Sequence, residues 1–360
     1  MNQLKLFITV GIIVSAALVI NVPIISAKVY ERKVKSQTVI AIASDLHDDT
    51  NQPLWPNVLN IKPNIFLFLG DNVPLDTLDE SVMKYEYAKL ATVDGFKRLL
   101  ASEIPIVATW DDHDYGADDA GAEYKQKEVS RKLFLDFFRE PSTSNRRKHS
   151  GVYDSKIFGV NGRRVQIIAL DLRYFRSQLV KSLNKSGYIP NTDVNATMLG
   201  ADQWTWLKNG LKKPAEVRII MSSIQVISKD NGWENWMNFP LERAKLFKTI
   251  KDTGANGVLF VSGDRHFADL SIMNGGIGYP IYDFTSGPFT NVNNSTLEKN
   301  KYRLKQQYLG MNFGLITIDW AAYGKGTWIK IEARNIDNRS VLHEELPLSI
   351  LQQGVLPYSR

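Results

Sequence analysis

The 360-residue chain is 44% hydrophobic and 23% charged, enough apolar material for a large buried core in one big α/β domain or one domain with additions. Its formal net charge of +6 is spread out, and the densest basic run, Arg146-Arg147-Lys148, sits among Ser142, Ser144 and Asn145 as a solvated loop would, so no stable nucleic-acid partner is expected. The absence of cysteine excludes disulfides, thiolate zinc sites, a cysteine nucleophile and a lipid anchor attached through cysteine.

Met1 to Ala27 reads as a targeting segment. Lys5 supplies a short basic start, Leu6 to Ile20 is apolar apart from Thr9, Gly11 and Ser15, and Ile25-Ser26-Ala27 offers a cleavage site. The expectation is export: periplasmic, extracellular or, if the leader is an uncleaved anchor, attached to a membrane through residues 6–25 and facing outside. Residues 28–37 read as a linker, 38–345 as the folded domain and 346–360 as a C-terminal tail.

Val39 to Ser44 reads as a buried strand ending at Asp45-Leu46-His47, and two residues apart on an extended exit Asp45 and His47 face the same way. After a short helical piece around Trp55 to Leu59, Ile65 to Leu69 forms a second buried strand, followed by Gly70-Asp71-Asn72. Leu78 to Leu100 is helical in pattern, interrupted near Asp94-Gly95. The apolar run from Ile106 then stops at Asp111-Asp112-His113-Asp114, which the pattern places on a loop leaving a third strand. Ala120 to Phe138 reads as a long amphipathic helix with Leu133, Phe134, Phe137 and Phe138 toward the core, closed by Pro141.

Arg164 to Leu170 is a strand running into Asp171-Leu172-Arg173, where Arg173 and Arg176 are placed to grip an oxyanion or to pair on the surface. A helix over Ala201 to Leu211 and a strand over Val217 to Val226 follow. Trp233 and Trp236 fall in a loop before a helix opened by Pro240 and stopped by Gly254, and either line a pocket entrance or cap the core. Gly257 to Ser262 is a further buried strand, leading to Gly263-Asp264-Arg265-His266. Ile281 to Gly287, Phe313 to Trp320 and Thr327 to Ala333 make a β-rich C-terminal end.

Four apolar strands thus end in ligand-type residues, and in α/β sheets ligands gather outside the carboxyl ends of strands. Packed like charges repel, so such a cluster needs a cation or protons. By chemistry the residues divide into two neighbouring sites. Asp45, His47 and His266 mix nitrogen with oxygen and suit iron, manganese or zinc; Asp112 and Asp264 with Asn72 or Gln225 are all oxygen and suit calcium, magnesium or manganese. Asp71 would bridge them. Two cations roughly 3.5 to 4 Å apart can clamp the attacking and leaving oxygens of a phosphoester and lower the pKa of a bound water. His113 is then placed to act on the phosphoryl oxygens or the leaving alkoxide with Asp114 holding its ring, while Arg173 and Arg265 bind phosphate oxygens, Arg265 being equally able to face away.

From about Val39 to Gly287 the chain resembles the calcineurin-like metallophosphoesterases, and among them the PhoD-like alkaline phosphatases. The resemblance rests on Ser44-Asp45, Gly70-Asp71-Asn72, Thr109-Trp110-Asp111-Asp112-His113-Asp114, Leu170-Asp171-Leu172-Arg173 and Ser262-Gly263-Asp264-Arg265-His266. It implies an α/β fold, a metallophosphoesterase-type sandwich of two mixed β-sheets flanked by helices, and hydrolysis of phosphomonoesters and phosphodiesters by a metal-bound hydroxide. It also implies export, and iron with calcium as the metals. Two positions depart from the pattern, since such sequences usually carry cysteine where Asp45 stands and an iron-binding tyrosine where Pro74 stands. The expected function is that of an exported, dinuclear-metal phosphoesterase with a phosphoester substrate. The alternative is a catalytically weak relative that binds phosphorylated ligands or cell-envelope polymers.

Overall fold

The structure, a computed structural model, describes residues 36–46, 51–183, 186–229, 232–290, 292, 297–321 and 326–354. The leader, most of the expected linker and His47 lie outside these residues. Among the described residues no helix is long and apolar enough to cross a membrane.

In chain order the strands are β1 (Gln37–Ala43), β2 (Ile65–Phe68), β3 (Ile106–Ala108), β4 (Asp154–Phe158), β5 (Val165–Ala169), β6 (Val180–Lys181), β7 (Tyr188–Ile189), β8 (Val217–Met221), β9 (Val258–Ser262), β10 (Asp269–Met273), β11 (Ile281–Thr285), β12 (Asn312–Asp319), β13 (Trp328–Asn335) and β14 (Ser340–Pro347). The helices are α1 (Trp55–Ile61), α2 (Glu80–Leu90), α3 (Asp94–Ala101), α4 (Asp112–Tyr115), α5 (Lys127–Phe137), α6 (Gly200–Leu211) and α7 (Pro240–Asp252). One six-stranded sheet has the order β14-β13-β12-β1-β2-β3, the other β10-β11-β9-β8-β5-β4, and β6 and β7 pair as a separate hairpin. Both large sheets are mixed: β1, β2 and β3 run parallel beside antiparallel β12 to β14, and β5, β8, β9 and β11 run parallel between antiparallel β4 and β10.

Strand alternation decides which core each residue joins. Ile40 and Ile42 of β1 and Ile65 and Leu67 of β2 belong to one buried cluster with residues of β5, β8 and β9, whereas Ala41, Ala43, Phe66 and Phe68 belong to a second with Trp55, Met83, Phe96 and Phe134 of the helices. Burial on both faces is why these strands read as continuous apolar runs, and each fully buried Ile, Leu or Phe contributes roughly 1.5–3 kcal/mol.

Several sequence expectations are corrected. The helix expected from Ala120 begins at Lys127, because the Ala122 N–H is taken by the Arg176 carbonyl at 2.8 Å and residues before it form turns. The strand expected to Val226 ends at Met221. The expected tail from residue 346 is part of the domain: Leu346, Leu348 and Leu351 are buried, and the Gly257 N–H donates to the Leu351 carbonyl at 2.7 Å. β4, β10, β14 and the short β6–β7 pair lie outside the strands the sequence predicts. In β14 the residues that turn inward are Leu342, Glu344 and Leu346, so a buried carboxylate paired with Lys305 at 3.0 Å hides the apolar alternation.

Candidate metal centre

The four strand exits meet where the two sheets come together. Gly70, at φ +113°, lies so close to the start of the Asp111 turn that a Cβ would fall 2.5 Å from Asp111 Cβ. A Cβ on Gly263 would meet Ser44 at 2.7 Å, so the exit of β9 packs directly on the exit of β1. Asp45, Asp71, Asp264 and His266 all adopt left-handed backbone, with φ of 57°, 51°, 65° and 55°. Non-glycine residues seldom sit there, and the conformation persists where surrounding structure imposes it, most often at functional sites.

Two groups of donor atoms result, each drawn within 4.8 Å: Asp45, Asp71 and His266 in one, Asp71, Asp112 and His113 in the other. Asp71 belongs to both, as a bridging carboxylate must. Asp264 falls in neither group; its Oδ2 is buried without a hydrogen bond, 3.5 Å from the Arg265 guanidinium. Burial raises the Asp264 pKa despite Arg265, with Asp111 and Asp112 adding repulsion.

The protein holds one end of several donors and leaves the other bare. Ser44 Oγ lies 2.5 Å from Asp45 Oδ2, while Asp45 Oδ1 is buried without a hydrogen bond, 3.3 Å from His266 Nε2. Asp112 Oδ2 accepts from the Asp119 N–H at 2.7 Å, and its Oδ1 has no hydrogen bond. Asn72 donates its amide to the Thr109 carbonyl at 3.2 Å and to Asp114, leaving Oδ1 buried and unpartnered, as is His266 Nδ1. Gln225, the alternative to Asn72, directs its amide to Thr285 Oγ1 at 2.9 Å. Buried polar atoms are ordinarily paired, so oxygen and nitrogen donors left bare beside one another fit a bound cation. The electrostatics agree: burial pushes Asp71 well above the usual carboxylate range, and the charges of Asp112, Asp111, Asp45 and Asp114 push it further.

The partner of His113 is not the expected one. Asp114 holds no part of that ring; its Oδ2 accepts from the Asn72 N–H at 3.0 Å and its Oδ1 from the Asp111 N–H at 2.6 Å, reaching back to the start of α4. The cluster expected on a loop is therefore a one-turn helix tied to the exit of β2. Asp76 takes the role instead, with Oδ2 2.6 Å from His113 Nδ1. That bond, with the charges of Asp112, Asp76 and Asp111, outweighs burial and raises the His113 pKa to about 10. A lone Asp in a loop carries no pattern, but the Leu75 N–H donates to the His113 carbonyl at 3.0 Å and lays the Asp76 loop along α4.

Arg173 is corrected more sharply. It is completely buried, with Nε donating to Asp111 Oδ1 at 2.6 Å, Nη1 to Glu234 Oε2 at 2.6 Å and Nη2 3.7 Å from Asp112 Oδ1. Arg176 is equally buried, 3.2 Å from Glu234 Oε1. Both buried arginines are engaged with carboxylates of the chain itself; Glu234, which they share, carries no signal in the sequence. Arg265 pairs with Asp264 and Glu298 and lies 5.6 Å from the centre of the Trp233 ring. Asp171 is also structural, accepting from the Trp110 indole at 2.9 Å and the Val152 N–H at 2.8 Å.

A family model described as PhoD-like phosphatase matches residues 72–308, which takes in Asn72, Asp112 to Asp114 and Asp264 to His266. A solved structure of PhoD superposes with a TM-score of 0.67 at 17% identity, covering 89% of this chain and 72% of that one. A purple acid phosphatase from yellow lupin (Lupinus luteus) seeds gives 0.58 at 11% identity, covering 87% of this chain and 54% of its own. A dimetal phosphatase from Danio rerio gives 0.52 at 11% identity, covering 86% and 99%. At these identities the superpositions establish the fold, the metallophosphoesterase sandwich of two mixed sheets with a β-rich C-terminal end. No curated protein sequence matches the chain.

Proposed function

Because the chain belongs to the PhoD-like phosphatase family, we propose that it is an exported, dinuclear-metal phosphoesterase acting on phosphomonoesters, phosphodiesters or both. The observation that carries this is Asp71, shared by two groups of donors in which Asp45 Oδ1, Asp112 Oδ1 and His266 Nδ1 are buried without a hydrogen bond. Asp45, Asp71 and His266 would hold one cation, a nitrogen–oxygen set suited to iron, manganese or zinc. Asp71 and Asp112, with the open oxygens of Asn72 at the exit of β2 and of Asp264 at the exit of β9, would hold a second, suited to calcium, magnesium or manganese. Bound there, the cations would supply charge neutralisation, polarisation of the phosphoryl group and a water of lowered pKa.

The chain's own part centres on His113. With Nδ1 held by Asp76, the ring keeps one orientation within reach of Asp71 and Asp112. Asp76 favours the protonated ring, so His113 holds a proton ready for the leaving oxygen and places positive charge beside the phosphoryl oxygens. Asp114 fixes Asn72 and the start of α4, and Arg173 offsets part of the negative charge of Asp111 and Asp112. The leader read at residues 1–27 supports export.

The test is hydrolysis of p-nitrophenyl phosphate and bis-p-nitrophenyl phosphate by the full-length protein, with and without chelator, with metals counted on the same sample. Chelator-sensitive turnover with about two metals per chain is expected. The ratio of the two rates assigns monoesterase or diesterase. Bound metals without turnover on these or on natural phosphoesters would instead favour a binding protein.

A further inference from the structure

Trp233 and Trp236 share two readings in the sequence, and the structure separates them. Trp236 is completely buried, its indole N–H donating to Ser222 Oγ at 3.0 Å, and belongs to the core. Trp233 remains 46% exposed. Its mount is nevertheless rigid. The next residue, Glu234, is buried and bound by Arg173 and Arg176; Asn235 accepts the Met237 N–H at 2.8 Å; and the Gly232 carbonyl accepts the Tyr188 N–H at 3.0 Å. A tryptophan fixed on such a base leaves nearly half of its surface open to a further contact.

Its position indicates what covers it. On one side the ring centre is 5.6 Å from the guanidinium of Arg265, which lies in the chain between Asp264 and His266. On the other, Tyr188 of the β6–β7 hairpin abuts Gly232 and donates its hydroxyl to Asp119, whose N–H holds Asp112 Oδ2 at 2.7 Å. The Trp233 turn is thus tied from two directions to residues that adjoin or hold candidate metal ligands: Arg265 beside Asp264 and His266, and Asp119 bound to Asp112.

We propose that Trp233 is the face against which the ester substituent packs, so that the site selects phosphoesters of aromatic or other flat apolar alcohols over those of small alcohols and polyols. The proposal rests on the phosphoesterase reading above and names its substrate class. A stacked ring gains contact and a place out of water, whereas a methyl or glycerol group gains little.

The test compares phenylphosphonate with methylphosphonate, which share the anionic head and cannot be hydrolysed as esters, by calorimetric titration into the metal-loaded full-length protein. The parent should bind phenylphosphonate about tenfold more tightly, the size of one good aromatic contact. Trp233→Ala should bring the ratio of the two dissociation constants close to one, and Trp233→Phe should keep most of it, a rescue that a purely structural role would not show. Equal affinities in the parent, or a ratio retained in Trp233→Ala, overturn the proposal. Turnover of p-nitrophenyl phosphate measured alongside separates the two readings: selectivity without turnover keeps the platform and removes the hydrolase, turnover without selectivity does the reverse, and no binding of either phosphonate overturns the platform.

Discussion

Replacing Arg173 by methionine tests whether this residue holds the site together or holds the substrate. The arginine is the buried cation between Asp111 and Glu234, at 2.6 Å from each, with Asp112 at 3.7 Å. Breaking a buried ion pair by removing one partner costs about 3–5 kcal/mol. Methionine refills part of the volume and Arg176 still reaches Glu234 at 3.2 Å, so the lower end of that range applies. At about 2–4 °C per kcal/mol for a domain of this order, the unfolding midpoint should fall by roughly 6–12 °C. The loss should depend on pH. Glu234 is raised to about 7 by burial, against the pull of Arg173 and Arg176. Without Arg173 it rises further, and a carboxylate whose folded pKa exceeds its unfolded value of about 4.3 makes the fold less stable as pH climbs through that window. The deficit against the parent should therefore be small near pH 5 and largest above pH 8. Thermal unfolding of the full-length proteins at both pH values, with chelator throughout to remove metal effects, measures it. A midpoint within about 2 °C of the parent at pH 8, together with a raised KM, would refute the structural assignment and return Arg173 to the substrate.

Other outcomes follow from the shared and unshared ligands. Asp71→Asn should take metal content below one per chain while Asp45→Asn keeps about one, since only Asp71 serves both groups; equal losses by metal analysis would contradict a bridging role. His113→Ala should keep its metals and lose at least about a hundredfold in kcat, the lower end for acid–base assistance, and metal loss would show that it is a ligand instead. Asp76→Asn removes the carboxylate that raises the His113 pKa, so the alkaline limb of the kcat–pH profile should move to lower pH and kcat should fall roughly tenfold; an unmoved limb would separate Asp76 from the chemistry.

Where strands end was legible because parallel strands covered on both faces leave uninterrupted apolar runs. A carboxylate immediately after such a run therefore marks a sheet edge, and Asp45, Asp71, Asp112 and Asp264 were found that way. The same logic failed where burial and charge coincide, as at Glu344 inside β14 and Glu234 behind the site. Side-chain partnership was not legible at all. Arg173 looks like an anion ligand in sequence, yet Asp111 and Glu234, 62 and 61 residues away, consume its charge; Asp76, 37 residues before His113, has no local mark of its role. The left-handed turns that aim Asp45, Asp71, Asp264 and His266, and the split between buried Trp236 and exposed Trp233, likewise arise from the packing of β9 on β1 and of the hairpin on the Trp233 turn. Residue type and local hydrophobic pattern determined the strands, their exits and the kind of chemistry gathered there. Which of those groups face a cation, which face each other and which face a substrate was decided by contacts between segments far apart in sequence, because an ion pair or a ligand set is a distance in space and not a spacing along the chain.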